Sequence, residues 1–101
     1  MATQTGIRHC IKLNDPGRYL VESITAPGVN ISKTTLYAIK STRGHSHSHP
    51  ELYYFVSGEG SIIIGRQSRE VFPGSTAFIP GNAFHRVVNH SRQNMVFLCL
   101  W

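Results

Sequence analysis

Closely spaced glycine and proline residues divide this chain into short apolar stretches, and that division constrains the fold more than any other feature. Turn signals lie at 15–17, 26–28, 43–44, 57–60, 73–74 and 80–82. The stretches between them are rich in β-branched and aromatic residues, as at 34–39, 52–56, 61–64 and 95–101. Such side chains suit pleated strands and are restricted in helices. The pattern predicts an all-β protein, either a sandwich or a barrel.

The length of 101 residues fits one domain, which we expect to span 1–101. The composition, 41% hydrophobic and 15% charged, is typical of globular proteins and not of disordered ones. A core of this size buries only about two-thirds of the surface that the unfolded chain exposes. A bound metal ion or self-association is therefore an expected source of additional stability.

The charge balance bears on the class of partner. Lysine and arginine number 10 against 5 acidic residues, which gives a formal charge of +5. Such a surplus attracts nucleic acid, acidic membrane surfaces or small anionic substrates. The basic residues are scattered, however, and form no run, helical stripe or aromatic–basic signature. We therefore expect no nucleic-acid partner, and no stretch approaches the length that a membrane-spanning helix requires.

Cysteine usage bears on the redox setting. The two cysteines, Cys10 and Cys99, do not form a CxxC pair. Small secreted domains held by disulfides usually contain more cysteines. The first residues also lack the charged and then apolar pattern of a secretory leader. We expect a reduced, cytoplasmic setting.

Segment 44–51 concentrates three of the six histidines beside a carboxylate. In a strand, residues two apart point to the same face, so His45 and His47 can place their imidazoles side by side. Pro50 cannot continue a hydrogen-bonded ladder and favours a turn. Glu51 then opens the next strand, where an antiparallel return can bring its carboxylate back to the two imidazoles.

A second cluster occupies 74–89. There a strand is predicted to end at Pro80, a tight turn follows, and His85 begins the next strand. Three imidazoles and one carboxylate that converge form a four-ligand site with open coordination positions. Such nitrogen and oxygen ligation suits Mn, Fe, Ni, Cu or Zn. The pattern predicts one divalent transition-metal ion held by His45, His47, Glu51 and His85.

Strand parity predicts which other side chains face the metal. Tyr53 and Phe55 share the parity of Glu51, and Phe97 and Cys99 share one face of the last strand. Cys99 has two interpretations, a thiol that serves the pocket or a small core side chain. With Arg43 placed at the pocket mouth, the predicted substrate-binding residues are Tyr53, Phe55, Phe97, Cys99 and Arg43.

These spacings resemble the two motifs of the cupin superfamily, and the chain resembles its small single-domain members of the cupin 2 conserved-barrel family. The first motif, G(X)5HXH(X)3–4E(X)6G, matches from His45 to Gly58, but its leading glycine falls at Ile39. The second motif, G(X)5PXG(X)2H(X)3N, matches from Gly74 to Asn89. Its middle glycine is replaced by Asn82, and asparagine is a non-glycine residue that tolerates a left-handed turn.

The motif spacing also separates ligands from neighbouring residues. His49 lies too close to Glu51 for the family spacing, so we interpret it as a turn or rim residue; coordination by His49 in place of His45 is the alternative. We interpret Asn89 as a structural residue that hydrogen-bonds backbone near the end of its strand.

The resemblance implies a cupin-type double-stranded β-helix, a jelly-roll barrel of six to eight strands, usually homodimeric, with a metal inside one end. It also implies a metal-dependent enzyme for a small oxygenated substrate, with isomerase, ring-opening lyase or dioxygenase chemistry. Three neutral imidazoles and one carboxylate leave the metal site positively charged, which favours an anionic or enolisable ligand. The alternative is a non-catalytic small-molecule or sugar-binding sensor on the same barrel, because fold does not determine function.

Overall fold

The computed structural model describes residues 8–101, which form nine antiparallel strands and no helix. The strands are β1 (Arg8–Asp15), β2 (Tyr19–Ala26), β3 (Val29–Leu36), β4 (Glu51–Ser57), β5 (Gly60–Ile64), β6 (Gln67–Val71), β7 (Thr76–Ile79), β8 (His85–Asn89) and β9 (Met95–Leu100). The all-β prediction is confirmed. These residues include no apolar helix of the length that a bilayer crossing requires. The prediction about a secretory leader concerns residues 1–7, outside the described part of the chain.

The strands form two sheets of a jelly roll. The larger sheet has the order β1-β2-β3-β9-β4-β7, and the smaller has the order β6-β5-β8. The core consists of Tyr19, Leu36, Tyr53, Phe55, Ile62, Val71, Ile79, Val87, Met95, Phe97 and Cys99. The resemblance implied six to eight strands, whereas nine are present in the described residues. The β1–β2 hairpin lengthens the larger sheet, and β1 is exposed from Arg8 to Asn14.

Buried and more exposed side chains alternate along the strands, as strand parity predicted. In β4, the odd-numbered residues from Glu51 to Phe55 are buried, and Leu52 and Tyr54 are exposed. In β9, Phe97 and Cys99 face the interior, whereas the alternate residues Val96, Leu98 and Leu100 are only half-buried. The interior face of the larger sheet therefore contains the side chains predicted to surround a metal.

The buried side chain of Asn89 contacts the backbone of several segments near the end of β8. Its side chain is 1% exposed. Nδ2 lies 3.1, 3.2 and 2.7 Å from the carbonyl oxygens of Leu36, Tyr37 and Gln93. Oδ1 accepts hydrogen bonds from the backbone N–H and the hydroxyl of Ser91 at 2.9 and 3.0 Å. The interpretation of Asn89 as a structural residue is confirmed.

The strand predicted at 34–39 is shorter in the structure, because a turn follows β3. The strand ends at Leu36, and Lys40 N–H then donates to the carbonyl of Tyr37 at 3.1 Å. Ile39 within this turn has φ of 64°. Ile39 stands where the first motif has its glycine, so the backbone keeps the left-handed conformation although the residue is β-branched. Asn82, the other substituted glycine, has φ of 68° as predicted.

Replacement of Ile39 by glycine is expected to stabilise the fold. A left-handed conformation costs a residue with a Cβ roughly 1–2 kcal/mol, and the Ile39 side chain is 67% exposed, so little burial is lost. Glycine increases the conformational entropy of the unfolded chain, which costs about 0.5–1 kcal/mol of stability and leaves a net gain of up to about 1.5 kcal/mol in Ile39→Gly. Urea unfolding measures it, with Ile39→Ala as the control that keeps a Cβ. A lower unfolding free energy for Ile39→Gly than for Ile39→Ala contradicts the assignment of strain.

Candidate metal centre

The four predicted ligands come from three segments that meet at one end of the barrel. His45 and His47 lie in an extended segment, 41–50, that runs beside β8 and is not a regular strand. The backbones of His45 and His85 exchange two N–H···O bonds, of 3.1 and 3.0 Å. Glu51 is the first residue of β4, and His85 is the first residue of β8. Pairing with β8 thus brings the His45–His47 segment to His85.

The four side chains converge on one point. One ligand atom from each of His45, His47, Glu51 and His85 lies within 4.8 Å of the other three. The imidazole of His85 is 4.4 Å from that of His45 and 5.0 Å from that of His47, between ring centroids. His85 is 1% exposed and Glu51 is 8% exposed. The predicted quartet is therefore brought together, with Glu51 and His85 buried, His47 half-buried and His45 exposed.

Hydrogen bonds on the far side of two rings orient their free nitrogens into the centre. His47 Nδ1 lies 2.8 Å from the carbonyl of His49, and His85 Nδ1 lies 2.9 Å from the carbonyl of Ala83. A carbonyl only accepts, so each Nδ1 donates; each Nε2 then has a lone pair in the neutral ring and donates in the protonated ring. Both Nε2 atoms face Glu51 Oε1, at 2.9 Å from His47 and 3.4 Å from His85.

Two ring nitrogens that face one carboxylate oxygen require a cation, either a proton or a metal ion. His85 Nε2 is buried and has no hydrogen-bond partner among residues 8–101, since 3.4 Å is long for an N–H···O bond. Buried polar atoms are nearly always satisfied, so an unsatisfied imidazole nitrogen that faces a carboxylate indicates a ligand or a proton. Metal ligands of this type stand about 2.0–2.2 Å from the ion, hence at most about 4.4 Å apart. A contraction of a few tenths of an ångström would suffice, and the residues fit a divalent metal.

The ionisation states of the quartet suit a metal. Burial opposes the charge on Glu51, but His85 and His47 outweigh it and hold the pKa of Glu51 below its usual value. Burial, and then the charges of His85 and His47, lower the pKa of His45. Burial also opposes the charge on His85, yet the nearby Glu51 carboxylate and the Ala83 carbonyl raise its pKa. Both shifts favour a charged His85–Glu51 pair, and a metal ion would compete with the proton of that pair.

Buried polar and thiol side chains form a row next to the quartet on the inner face of the larger sheet. Cys99 pairs in register with Ser32 on one side and with Tyr53 on the other. All three are 5% exposed, and so is Thr34. The Tyr53 ring lies 5.9 Å from that of His85. Ser32 and Thr34 were not predicted, because polar residues in a strand suggest a solvent-facing position. Their shared parity with Leu36 was the signal that could have found them.

The remaining predicted pocket residues lie in different surroundings. Phe55 and Phe97 are 0% and 2% exposed and pack together with ring centroids 5.3 Å apart, one row deeper than Tyr53 and Cys99. The guanidinium of Arg43 donates to Asp15 Oδ2 at 2.7 Å, and its side chain is 64% exposed. The structure thus brings Tyr53 and Cys99 to the centre, places the two phenylalanines in the core, and pairs Arg43 at the surface. Their roles in substrate binding stay predictions.

His49 lies at the rim of the centre. Its ring stacks on that of His47, with centroids 4.0 Å apart and planes 7° apart. Nε2 is 4.0 Å from Glu51 Oε2, and the side chain is 47% exposed. The group that could hold a metal includes His45 and excludes His49. This arrangement favours the interpretation of His49 as a rim residue.

The two thiols are expected to differ in reactivity. Burial raises the pKa of Cys99 to about 12, and thiolates rather than thiols react. Cys10 is exposed. A disulfide reagent at neutral pH should label one thiol per native chain and two after unfolding, and Cys10→Ser should show none in the native state. Rapid labelling of native Cys10→Ser would contradict the inert, buried assignment of Cys99.

Several known proteins are similar to this chain in sequence. The family model described as Cupin domain matches residues 37–101. Glucose-6-phosphate isomerase of Thermococcus kodakarensis is 29% identical over 98 residues, covering 82% of this chain and 52% of that protein. L-ectoine synthase of Vibrio campbellii is 28% identical over 75 residues, covering 73% of this chain and 59% of that protein. The chain therefore spans little more than half the length of these curated relatives.

Solved structures show the same fold. A cupin-2 domain protein of Rhodospirillum rubrum superposes with a TM-score of 0.78 at 16% identity, covering 99% of this chain and 72% of that chain. KdgF of Halomonas sp. superposes with a TM-score of 0.76 at 17% identity, covering 91% of this chain and 84% of that chain. At these identities the similarity shows the architecture alone.

Proposed function

Because the chain belongs to the cupin family, we propose that it is a single-domain, metal-dependent enzyme for a small oxygenated, anionic substrate. The chemistry that we propose first is proton transfer, as in isomerisation or ring opening of a carbonyl or sugar-acid compound. Relatives named as an isomerase and as L-ectoine synthase support this choice over a dioxygenase. A dioxygenase remains as the second form of the same proposal, because the metal centre is suited to both.

One observation carries the proposal. The Nε2 atoms of His47 and His85 face one buried carboxylate oxygen, at 2.9 and 3.4 Å, while their Nδ1 atoms already donate to backbone carbonyls. Neutral rings in this arrangement present lone pairs to the carboxylate, and a divalent cation would bind all three atoms. Here His45, His47, Glu51 and His85 would hold one divalent transition-metal ion. When bound, the ion supplies Lewis-acid polarisation of a carbonyl or hydroxyl oxygen.

The side chains around the centre divide into hydrogen-bond donors and a rim group. Burial raises the pKa of Tyr53 far above its usual value and that of Cys99 to about 12. Both therefore stay protonated and would orient a substrate oxygen rather than remove a proton. His49 is half-exposed and 4.0 Å from Glu51. It is the rim group placed to exchange a proton with water during turnover.

The alternative is a sensor without turnover, and one observation favours it. Tyr53 and Cys99, the titratable side chains beside the quartet in the interior row, are both held protonated by burial. A dedicated general base would need a pKa near the working pH. Under this alternative the same metal centre binds an oxygenated ligand and releases it unchanged.

Metal analysis followed by turnover assays separates these functions. The protein is purified without added metal, loaded with Mn²⁺, Fe²⁺, Ni²⁺ or Zn²⁺, and mixed with keto acids and sugar acids. We expect one ion per chain and exchange of substrate C–H protons with D₂O, detected by NMR. Oxygen consumption without such exchange would select the dioxygenase. Ligand binding without either reaction would select the sensor, and failure to bind any of the metals would overturn all three.

We also propose that two copies pack through the outer face of the larger sheet. Cross-strand registers align an apolar row on that face: Ile24, Ile31, Leu100, Leu52 and Phe78. Leu52 and Phe78 are 43% and 62% exposed, and Tyr54 beside them is 41% exposed. Continuous apolar faces that are exposed in the single chain are typical of protein interfaces. A symmetric pair buries the same row on both copies.

Light scattering after size-exclusion chromatography tests this interface. We expect the wild-type protein to have twice the mass of its 11.3 kDa chain. Phe78→Lys should shift it to the monomer, because it places charge in the apolar row. Phe72→Lys is the matched control, since Phe72 is 52% exposed and lies off the row in the turn before β7. A monomeric wild type, or dissociation by both variants alike, would contradict the assigned face.

The free cysteines support a reducing setting. Cys10 is exposed and unpaired among the described residues. Exposed free thiols persist where cellular reductants maintain them. We therefore propose a cytoplasmic location for the protein.

A further inference from the structure

Lys12 and Trp101 meet at the rim of the metal centre. The ammonium of Lys12 lies 4.8 Å from the centroid of the Trp101 ring. That ring is 6.0 Å from the ring of His49, between centroids. His49 in turn approaches Glu51 at 4.0 Å. A continuous path of side chains therefore leads from the buried carboxylate out to a lysine.

A bulge in β1 accounts for the position of Lys12. Ile11 pairs with Glu22 and Leu13 pairs with Val21, so Lys12 between them has no cross-strand partner. Bulges commonly re-aim a side chain and occur next to active sites. Here the bulge lies in the hairpin that extends the larger sheet, and the lysine reaches across to Trp101 at the end of β9.

The charge of Lys12 has no carboxylate partner within residues 8–101. Asp15 pairs with Arg18 and Arg43, Glu22 pairs with His9, and Glu51 pairs with histidines. Lys12 is exposed, and a cation–π contact at an exposed site is weak. The ammonium is thus available to an anion that enters between Trp101 and the quartet.

We propose that Lys12 is a specificity-determining residue that binds the carboxylate of the substrate. The other end of the same molecule presents its oxygen atoms to the quartet, and the Trp101 ring forms the wall beside it. This inference rests on the proposed function, and it narrows the substrate to small oxygenated acids in preference to their neutral analogues. Arg43 is already paired with Asp15, so the role falls to Lys12.

Fluorescence of Trp101, which is the one tryptophan in the sequence, reports binding at this rim. The zinc-loaded protein is titrated with two matched pairs of probes, glucuronate with glucuronamide and pyruvate with pyruvamide. A charge-assisted hydrogen bond corresponds to about tenfold or more in affinity. We expect the acid of at least one pair to bind at least about tenfold more tightly than its amide. Lys12→Gln should reduce this preference by about tenfold while its zinc content stays unchanged.

Lys33→Gln is the matched control, because Lys33 pairs in register with Leu98 on the opposite face of the sheet. This variant should keep the wild-type preference for acids. If zinc binds but the wild type shows no acid preference, or binds neither acid, the inference about Lys12 is overturned and the metal centre stands. An undiminished preference in Lys12→Gln also overturns it. If the wild type binds none of Mn²⁺, Fe²⁺, Ni²⁺ and Zn²⁺, the proposed function fails as well.

Discussion

His47→Ala is expected to lose at least about 100-fold in affinity for Zn²⁺ or Ni²⁺. Mutation of the residues that merely orient metal ligands already costs about 10–100-fold, and removal of a ligand costs more. His47 Nε2 faces Glu51 Oε1 at 2.9 Å, so the variant removes one side of the donor set. Because a ligand that binds only the folded state stabilises it, a 100-fold excess over the Kd contributes about 2.7 kcal/mol. The variant should lose most of the metal-dependent rise in Tm, measured by calorimetry with and without metal.

His49→Ala is the matched control for that experiment. His49 is stacked on His47 and is the nearest other histidine, yet it lies outside the quartet. Its backbone carbonyl, which accepts from His47 Nδ1, is unchanged by the substitution. We expect His49→Ala to retain the metal and its stabilising effect. Loss of the metal in His49→Ala together with retention in His45→Ala would establish the alternative ligand set.

Asn89→Ala is expected to produce the largest loss of stability outside the metal centre. Nδ2 lies within hydrogen-bond distance of three backbone carbonyls, and Oδ1 accepts twice from Ser91. Each buried polar group left without a partner costs about 1–3 kcal/mol. Since several groups lose their partner at once, we expect a fall of about 3–4 kcal/mol in the unfolding free energy. Urea unfolding of the metal-free protein measures it apart from metal binding.

Asn89→Asp and Ser91→Ala locate the source of this loss. The aspartate keeps one oxygen as the acceptor for Ser91, but its other oxygen replaces the donating Nδ2 and faces three carbonyls. Asn89→Asp should therefore be as destabilising as alanine. Ser91→Ala removes one hydroxyl at a half-buried position and should cost about 1 kcal/mol or less. Loss of less than about 1 kcal/mol in Asn89→Ala would show that the three carbonyls find other partners.

Much of the centre was predictable because its residues are local in sequence. The turn at Pro50 and the start of β4 at Glu51 follow from turn chemistry and strand geometry. The proximity of His45 and His47 was predicted from strand parity, although they lie in an extended segment and not in a regular strand. His85 was predictable because a turn of proline, glycine and asparagine fixes where β8 begins. At Ile39 the sequence pattern misled: a β-branched residue favours a strand, yet the hydrogen bonds of the turn impose a left-handed backbone.

The residues that were missed depend on long-range pairing. Ser32 reaches the centre only because β3 pairs with β9, which separates the partners by more than sixty positions in the chain. Lys12 reaches Trp101 because of a bulge, and the composition of β1 shows no glycine that would mark one. The β1–β2 hairpin likewise lies outside the two metal-binding motifs, so the motifs do not predict it. Pairing between distant segments is set by the packed fold as a whole, so a reading of local pattern cannot supply it.

Anomalous diffraction from crystals of the protein loaded with a single metal tests the central claim most directly. Data collected on both sides of the absorption edge of the ion locate it independently of the protein atoms. We predict one peak per chain, about 2.0–2.2 Å from a nitrogen of His45, His47 and His85 and from an oxygen of Glu51. A metal-loaded crystal without a peak between these four side chains, or with the peak on other residues, would contradict the account.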